Sequence, residues 1–176
     1  MSHHGFKPRR LLRVLAVALA SLAALMAVTP AAQAYENVQF ESIKYRGYCL
    51  DSNAAGDVYM NPCNGNNNYQ RWLMTWTGTR SYDGHEQVRL RNAATLRYLM
   101  QWRVGYPALQ TGPLGGVNSN RAVVDGVGTS WSDVRLRASH FDSTAGQGDL
   151  CAHAIQPSVA VSFNCNNTDE QRWQKR

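Results

Sequence analysis

Four cysteines, one aspartate and two Gln-Arg-Trp triplets are the residues of this chain whose types and spacing could do chemistry. Cys49 and Cys63 stand 14 positions apart, and so do Cys151 and Cys165. Paired thiols can oxidise to disulfides or, as thiolates, hold zinc. The spacing is not Cys-x-x-Cys, which argues against zinc, and four cysteines allow three disulfide pairings. The duplicated spacing favours Cys49–Cys63 and Cys151–Cys165, each closing a loop worth roughly 3 kcal/mol in the chain-entropy treatment. Asp51 follows Cys49 by two positions, and Gln70-Arg71-Trp72 follows Cys63 as Gln171-Arg172-Trp173 follows Cys165. A carboxylate beside a carboxamide can clasp hydroxyl groups, because the amide both donates and accepts. The sequence contains no Gly-x-Ser-x-Gly and no His-Glu-x-x-His, and His85, His140 and His153 fall at different repeat positions. No catalysis, cofactor or metal is therefore expected.

The elements that must position these residues are repeated. Val38-Gln39-Phe40-Glu41, Val88-Arg89-Leu90-Arg91 and Val134-Arg135-Leu136-Arg137 alternate apolar and polar residues, as half-buried strands do, and lie 50 and then 46 positions apart. A gapless shift of 50 sets Cys49 on Leu99, Asp51 on Gln101, Cys63 on Pro113 and Gln70-Arg71-Trp72 on Asn120-Arg121-Ala122. The middle copy thus keeps the frame but has lost its cysteines and closing Trp. The third carries an insertion within His140 to Gly148. Asp83-Gly84 between strand-like runs signals a hairpin turn. Short strands, frequent turns and no helical periodicity beyond residue 34 predict an all-β chain, and the threefold repeat predicts three similar units around a pseudo-threefold axis.

The first 34 residues are read separately. Lys7, Arg9, Arg10 and Arg13 precede an apolar run from Val14 to Pro30, and Ala32-Gln33-Ala34 is a small-x-small cleavage pattern. This is the pattern of a secretory signal peptide cut after Ala34, and a retained membrane anchor is the alternative. Cleavage would leave one domain, residues 35–176, with repeats of approximately 35–82, 83–130 and 131–176. The leader takes four of the 18 basic residues and none of the 12 acidic ones, so the formal charge falls from +6 to about +2. With no Lys/Arg run, nucleic acid is not an expected partner, and Lys175-Arg176 reads as a solvated tail.

Three repeats, an intra-repeat cysteine pair and a Gln-x-Trp close resemble the ricin-type β-trefoil lectin domain across essentially the whole of residues 35–176. The resemblance implies a twelve-stranded trefoil, extracellular placement and binding of a glycan or polysaccharide without catalysis. In that family the carboxylate follows the first cysteine by two, matching Asp51. An aromatic precedes the second cysteine by two, matching Phe163 in the third copy but replaced by Asn61 in the first. Asn precedes the Gln; here Tyr69 does, with Asn68 beside it. The carbohydrate-binding candidates are accordingly Asp51, Tyr59, Asn68, Gln70, Phe163 and Gln171. His153 holds the carboxylate position of the third copy, with Glu170 before Gln171. The middle copy offers Gln101, Thr111 and Asn120, with Trp102 and Tyr106 nearby. Trp72 and Trp173 read as core, Gln70 and Gln171 as braces or ligands, and Asp51 as a ligand or a turn-capping residue. A second functional reading is a secreted protein-interaction trefoil, an inhibitor or toxin-like subunit, with degenerate pockets.

Overall fold

The computed structural model describes residues 35–101, 109–115, 119–139, 149–155, 158–162 and 164–176. The expected leader, the insertion at 140–148, Phe163, Trp102 and Tyr106 lie outside them. The described strands are β1 (Glu36–Val38), β2 (Phe40–Ser42), β3 (Tyr48–Ser52), β4 (Val58–Pro62), β5 (Trp72–Arg80), β6 (Glu86–Asn92), β7 (Tyr98–Gln101), β8 (Leu109–Gly112), β9 (Val124–Ser130), β10 (Asp133–Ala138), β11 (Cys151–Ile155), β12 (Ser158–Ser162) and β13 (Trp173–Lys175).

The alternating runs build a closed barrel. In each of them the apolar positions point inward: Val38, Val88 and Val134, then Phe40, Leu90 and Leu136, are all buried. β1 pairs with β5, and the ring continues through β6, β9, β10 and β13 back to β2, every pair antiparallel. β1 and β2 act as one strand across Gln39, whose N–H and C=O exchange bonds with Arg176 at 3.0 and 2.9 Å. Six strands closed in this way leave no free edge. Three hairpins, β3–β4, β7–β8 and β11–β12, cap one end of the barrel. They touch one another through Ser158 opposite Tyr59 and a bridge between Asp57 and Gln110. Four strands per repeat around a pseudo-threefold axis make this a β-trefoil. The turn expected at Asp83-Gly84 joins β5 to β6: Gly84 has φ +86°, and Ser81 N–H donates to the His85 carbonyl at 2.9 Å.

Strand register tests the repeat alignment residue by residue. Tyr48 opposes Pro62 and Tyr98 opposes Gly112, so the shift of 50 holds through the first two hairpins. It fails beyond them. Trp72 opposes Asn92, Trp173 opposes Ser42, and the corresponding partner of Ala138 is Val124. The middle equivalent of Trp72 is therefore Val124 rather than Ala122, and Ala122 takes the place of Gln70. Two extra residues enter after β8, where neither disulfide nor glutamine fixes loop length. Trp72 and Trp173 are fully buried, and their indole N–H groups donate to the carbonyls of Leu50 (3.1 Å) and Ala152 (3.4 Å) at matching positions. Val124 has no such donor, so the middle repeat keeps the core without that tie.

The C-terminus also departs from expectation. Lys175 and Arg176 are not a solvated tail, because the last strand is needed to close the barrel. Lys175 pairs with Glu36 at 2.7 Å, and Arg176 with the buried Glu41 at 2.6 Å.

Candidate functional site

The β3–β4 hairpin and the turn that follows it gather the first-repeat candidates. The disulfide Cys49–Cys63 forms, as does Cys151–Cys165, which removes the zinc alternative. Asn53 shapes the hairpin tip: its carbonyl oxygen accepts from the N–H groups of Gly56 (2.9 Å) and Asp57 (3.0 Å). Gly56 there has φ +102°. Asp51 then faces Tyr59 across the ladder. After Cys63 a single 3-10 turn, Asn68–Gln70, is capped by Asn67, whose side-chain oxygen accepts from Tyr69 N–H at 3.0 Å.

Asp51 is the centre of this arrangement. It is only 1 % exposed. Its Oδ2 accepts from Gln70 Nε2 (3.0 Å), Asn61 Nδ2 (3.1 Å) and Asn67 Nδ2 (3.3 Å), and its Oδ1 accepts from Ser52 N–H (2.7 Å). A buried carboxylate is tolerated when donors replace its water, and four do so here. Three carboxamides from β4, the loop and the 3-10 turn are thereby locked in orientation. Asn61 and Asn67 are half-buried, Asn68 is exposed and Tyr69 is 39 % exposed. Tyr59 is half-buried. Burial, and then the charges of Asp51 and Asp57, push its hydroxyl above the usual tyrosine value.

Gln70 and Gln171 do the same mechanical work. Gln70 accepts from Asn64 N–H (2.7 Å) and donates to Pro62 C=O (3.0 Å). Gln171 accepts from Asn166 N–H (2.7 Å) and donates to Asn164 C=O (3.0 Å). Both are buried, and each ties together the backbone on the two sides of its second cysteine.

The structure thus brings Asp51, Tyr59, Asn68 and Gln70 to one corner of the first repeat and places Gln171 in the equivalent corner of the third. There His153 replaces Asp51, and its Nδ1 is buried without a partner among the described residues. Glu170 pairs with Lys44 at 3.2 Å. In the middle repeat Thr111 is buried against Gly56 C=O (3.3 Å). Asn61 and Asn67 were not among the sequence candidates, yet they hold the carboxylate. Asn67 was findable, since Asn is a preferred cap immediately before a helical turn. Asn61 was not, because only strand pairing reveals that it sits beside Asp51. Among the described residues, no group of three or more His, Cys, Asp or Glu could hold a metal ion, and no helix is long and apolar enough to cross a membrane.

No protein-family model matches the chain, and no curated protein sequence does. Solved structures resemble it in fold. A designed threefold-symmetric protein, ThreeFoil, superposes with TM-score 0.59 at 15 % identity, over 79 % of this chain and 96 % of that one. A mosquitocidal holotoxin gives 0.61 at 14 %, over 81 % of this chain, which spans 17 % of the holotoxin's length. A GlcNAcα1-4Gal-releasing endo-β-galactosidase of Clostridium perfringens gives 0.58 at 15 %, over 79 % of this chain and 31 % of that one. A Gallus interleukin-1 mutant gives 0.59 at 13 %, over 81 % and 96 %. At these identities the likeness shows the β-trefoil fold.

Proposed function

We propose that this is a secreted carbohydrate-binding protein of the ricin-type lectin kind, acting without catalysis, with its working surface on the first repeat. The observation that carries the reading is the Asp51 cluster. The buried carboxylate, satisfied by four donors, is a brace that fixes the side-chain amides of Asn61, Asn67 and Gln70 beside Tyr59 and Tyr69. Pre-set amides and an aromatic face are what a sugar's hydroxyls and C–H face require. The two disulfides and the apolar leader support export. An endo-β-galactosidase among the structural neighbours is consistent with glycan recognition on this fold.

Because Asp51 is structural, the test uses side chains at the surface. The oxidised protein is applied to a glycan array and to insoluble polysaccharides beside Tyr69→Ala and Asn68→Ala. Binding that drops about tenfold or more in either variant, with unchanged thermal stability, supports a first-repeat site. Glycan binding unaffected by both variants moves the site to another repeat. No glycan binding at all by folded protein leaves the protein-interaction reading. That reading draws on Tyr82, 86 % exposed, and Trp76, 42 % exposed, as surface aromatics.

A further inference from the structure

The loss of the glutamine brace in the middle repeat has a chemical consequence on the outer face of the barrel. Gln39, Arg89 and Arg135 occupy one position in the first strands of the three repeats. In the first repeat Gln39 Nε2 donates to Asn64 C=O at 3.0 Å, and in the third Arg135 Nη1 donates to Asn166 C=O at 3.1 Å. Asn64 and Asn166 each directly follow a second cysteine, so both repeats spend this side chain on the same turn. Arg89 does not do so. No hydrogen bond or ion pair joins its guanidinium to another described residue, and its Nε is buried without an acceptor. A buried donor of this kind costs stability unless something fills it.

What lies in front of Arg89 is a cleft of about 400 Å³, bounded by Thr77, Thr79, Gln87, Asn120 and Ser139. Most of these walls are already oriented. Thr79 Oγ1 donates to Gln87 Oε1 at 2.7 Å, Thr77 Oγ1 donates to Gln87 C=O at 2.9 Å, and Gln87 Nε2 donates to Ser139. Asp125 accepts from Gln87 Nε2 at 3.1 Å behind this wall, but it is buried and paired with Arg137 at 2.8 Å. Among the described residues, no carboxylate pairs with Arg89. An unpaired planar guanidinium at the back of a cleft walled by hydroxyls and amides suits an oxyanion carried on a polyhydroxylated ligand.

We infer that this cleft is a subsite for an acidic saccharide, with Arg89 holding a carboxylate or sulfate oxygen through its fork and the Thr77, Thr79, Gln87 and Ser139 wall meeting neighbouring hydroxyls. The ligand class rests on the carbohydrate reading above; the anion preference rests on Arg89 alone. The site lies outside the cysteine-bracketed corners of the first and third repeats, with Gln87, Arg89 and Asn120 from the middle repeat, Thr77 and Thr79 from the first and Ser139 from the third.

The test titrates the oxidised protein with tetragalacturonate, a sulfated tetrasaccharide and a neutral tetrasaccharide by calorimetry, and follows the Arg89 Nε–H signal by NMR. The carboxylate and sulfate arms show which oxyanion is preferred. Expected results are binding of at least one acidic ligand, a shift of the Arg89 Nε–H signal, and an affinity that falls with salt. Arg89→Gln then weakens acidic binding about tenfold or more and spares neutral binding and thermal stability, since Arg89 makes no internal bonds to lose. Acidic binding equal in wild type and Arg89→Gln overturns the proposal. So does neutral binding without acidic binding, and that result leaves the lectin reading standing. Binding of no saccharide of either kind overturns both.

Discussion

At the scale of single residues, Asp51 sets the balance between binding and folding. Its position two after a cysteine marks a sugar ligand by resemblance, yet the side chain is buried under Gln70, Asn61 and Asn67. Deleting the carboxylate strands three carboxamide N–H groups and the Ser52 amide in a poorly hydrated pocket. Asp51→Ala is expected to lower unfolding free energy by roughly 3 kcal/mol, read from the urea midpoint. A loss below about 0.5 kcal/mol would show the cluster to be solvated. The glutamines tell a parallel story. Gln70 and Gln171 read as braces or ligands in sequence, and their matched bonds to the backbone on either side of Cys63 and Cys165 make them braces first. A bracing amide and a ligand amide have the same sequence signature; only the placement of neighbouring carbonyls separates them.

At the scale of elements, the repeats are joined by charge as well as by the barrel. Arg137 on β10 is 4 % exposed on its side chain and binds Asp83 from the β5–β6 turn (2.7 Å), Asp125 of β9 (2.8 Å) and Asp149 (3.0 Å). Tyr82 lies over the guanidinium at 5.3 Å. Burying one cation among three carboxylates satisfies all five of its N–H donors and ties the second repeat to the third. Hydrogen bonds from Arg137 hold the Asp83 carboxyl well below the ordinary carboxylate range. A depressed pKa contributes stability above the unfolded-state value, near pH 4, and that contribution is lost as pH falls toward the folded value. Asp83→Asn should therefore lower stability at pH 7 by about 1–3 kcal/mol and flatten the decline between pH 5 and pH 2. Parallel stability–pH curves for the two proteins would rule this out. Nothing in the local sequence around Asp83, Asp125 or Asp149 announces the network, because its members are distant in the chain and meet only when the barrel closes.

At the scale of the whole molecule, covalent and non-covalent bracing are unevenly shared. Two repeats carry a disulfide and a glutamine brace, and the middle one carries neither. Reduction should release about 3 kcal/mol per bridge, lowering the urea midpoint strongly while the slope stays that of one cooperative unit. A reduced protein as stable as the oxidised one would mean that the loops are held by packing alone.

The residue order alone was enough for the architecture. Alternating Val-x-Phe/Leu runs, a 50-residue recurrence and paired cysteines specify three copies of a four-stranded unit, because alternation and spacing are local properties of a strand and its turn. It was not enough for the details that bear on function. The true partner of Trp72 in the middle repeat is Val124, two places from the gapless alignment, since insertions are visible only where register is. The burial of Asp51, the enrolment of Asn61 and Asn67, and the unspent guanidinium of Arg89 all depend on side chains that approach across strands and repeats. Such contacts are set by three-dimensional closure of the barrel, and no periodicity along the chain encodes them.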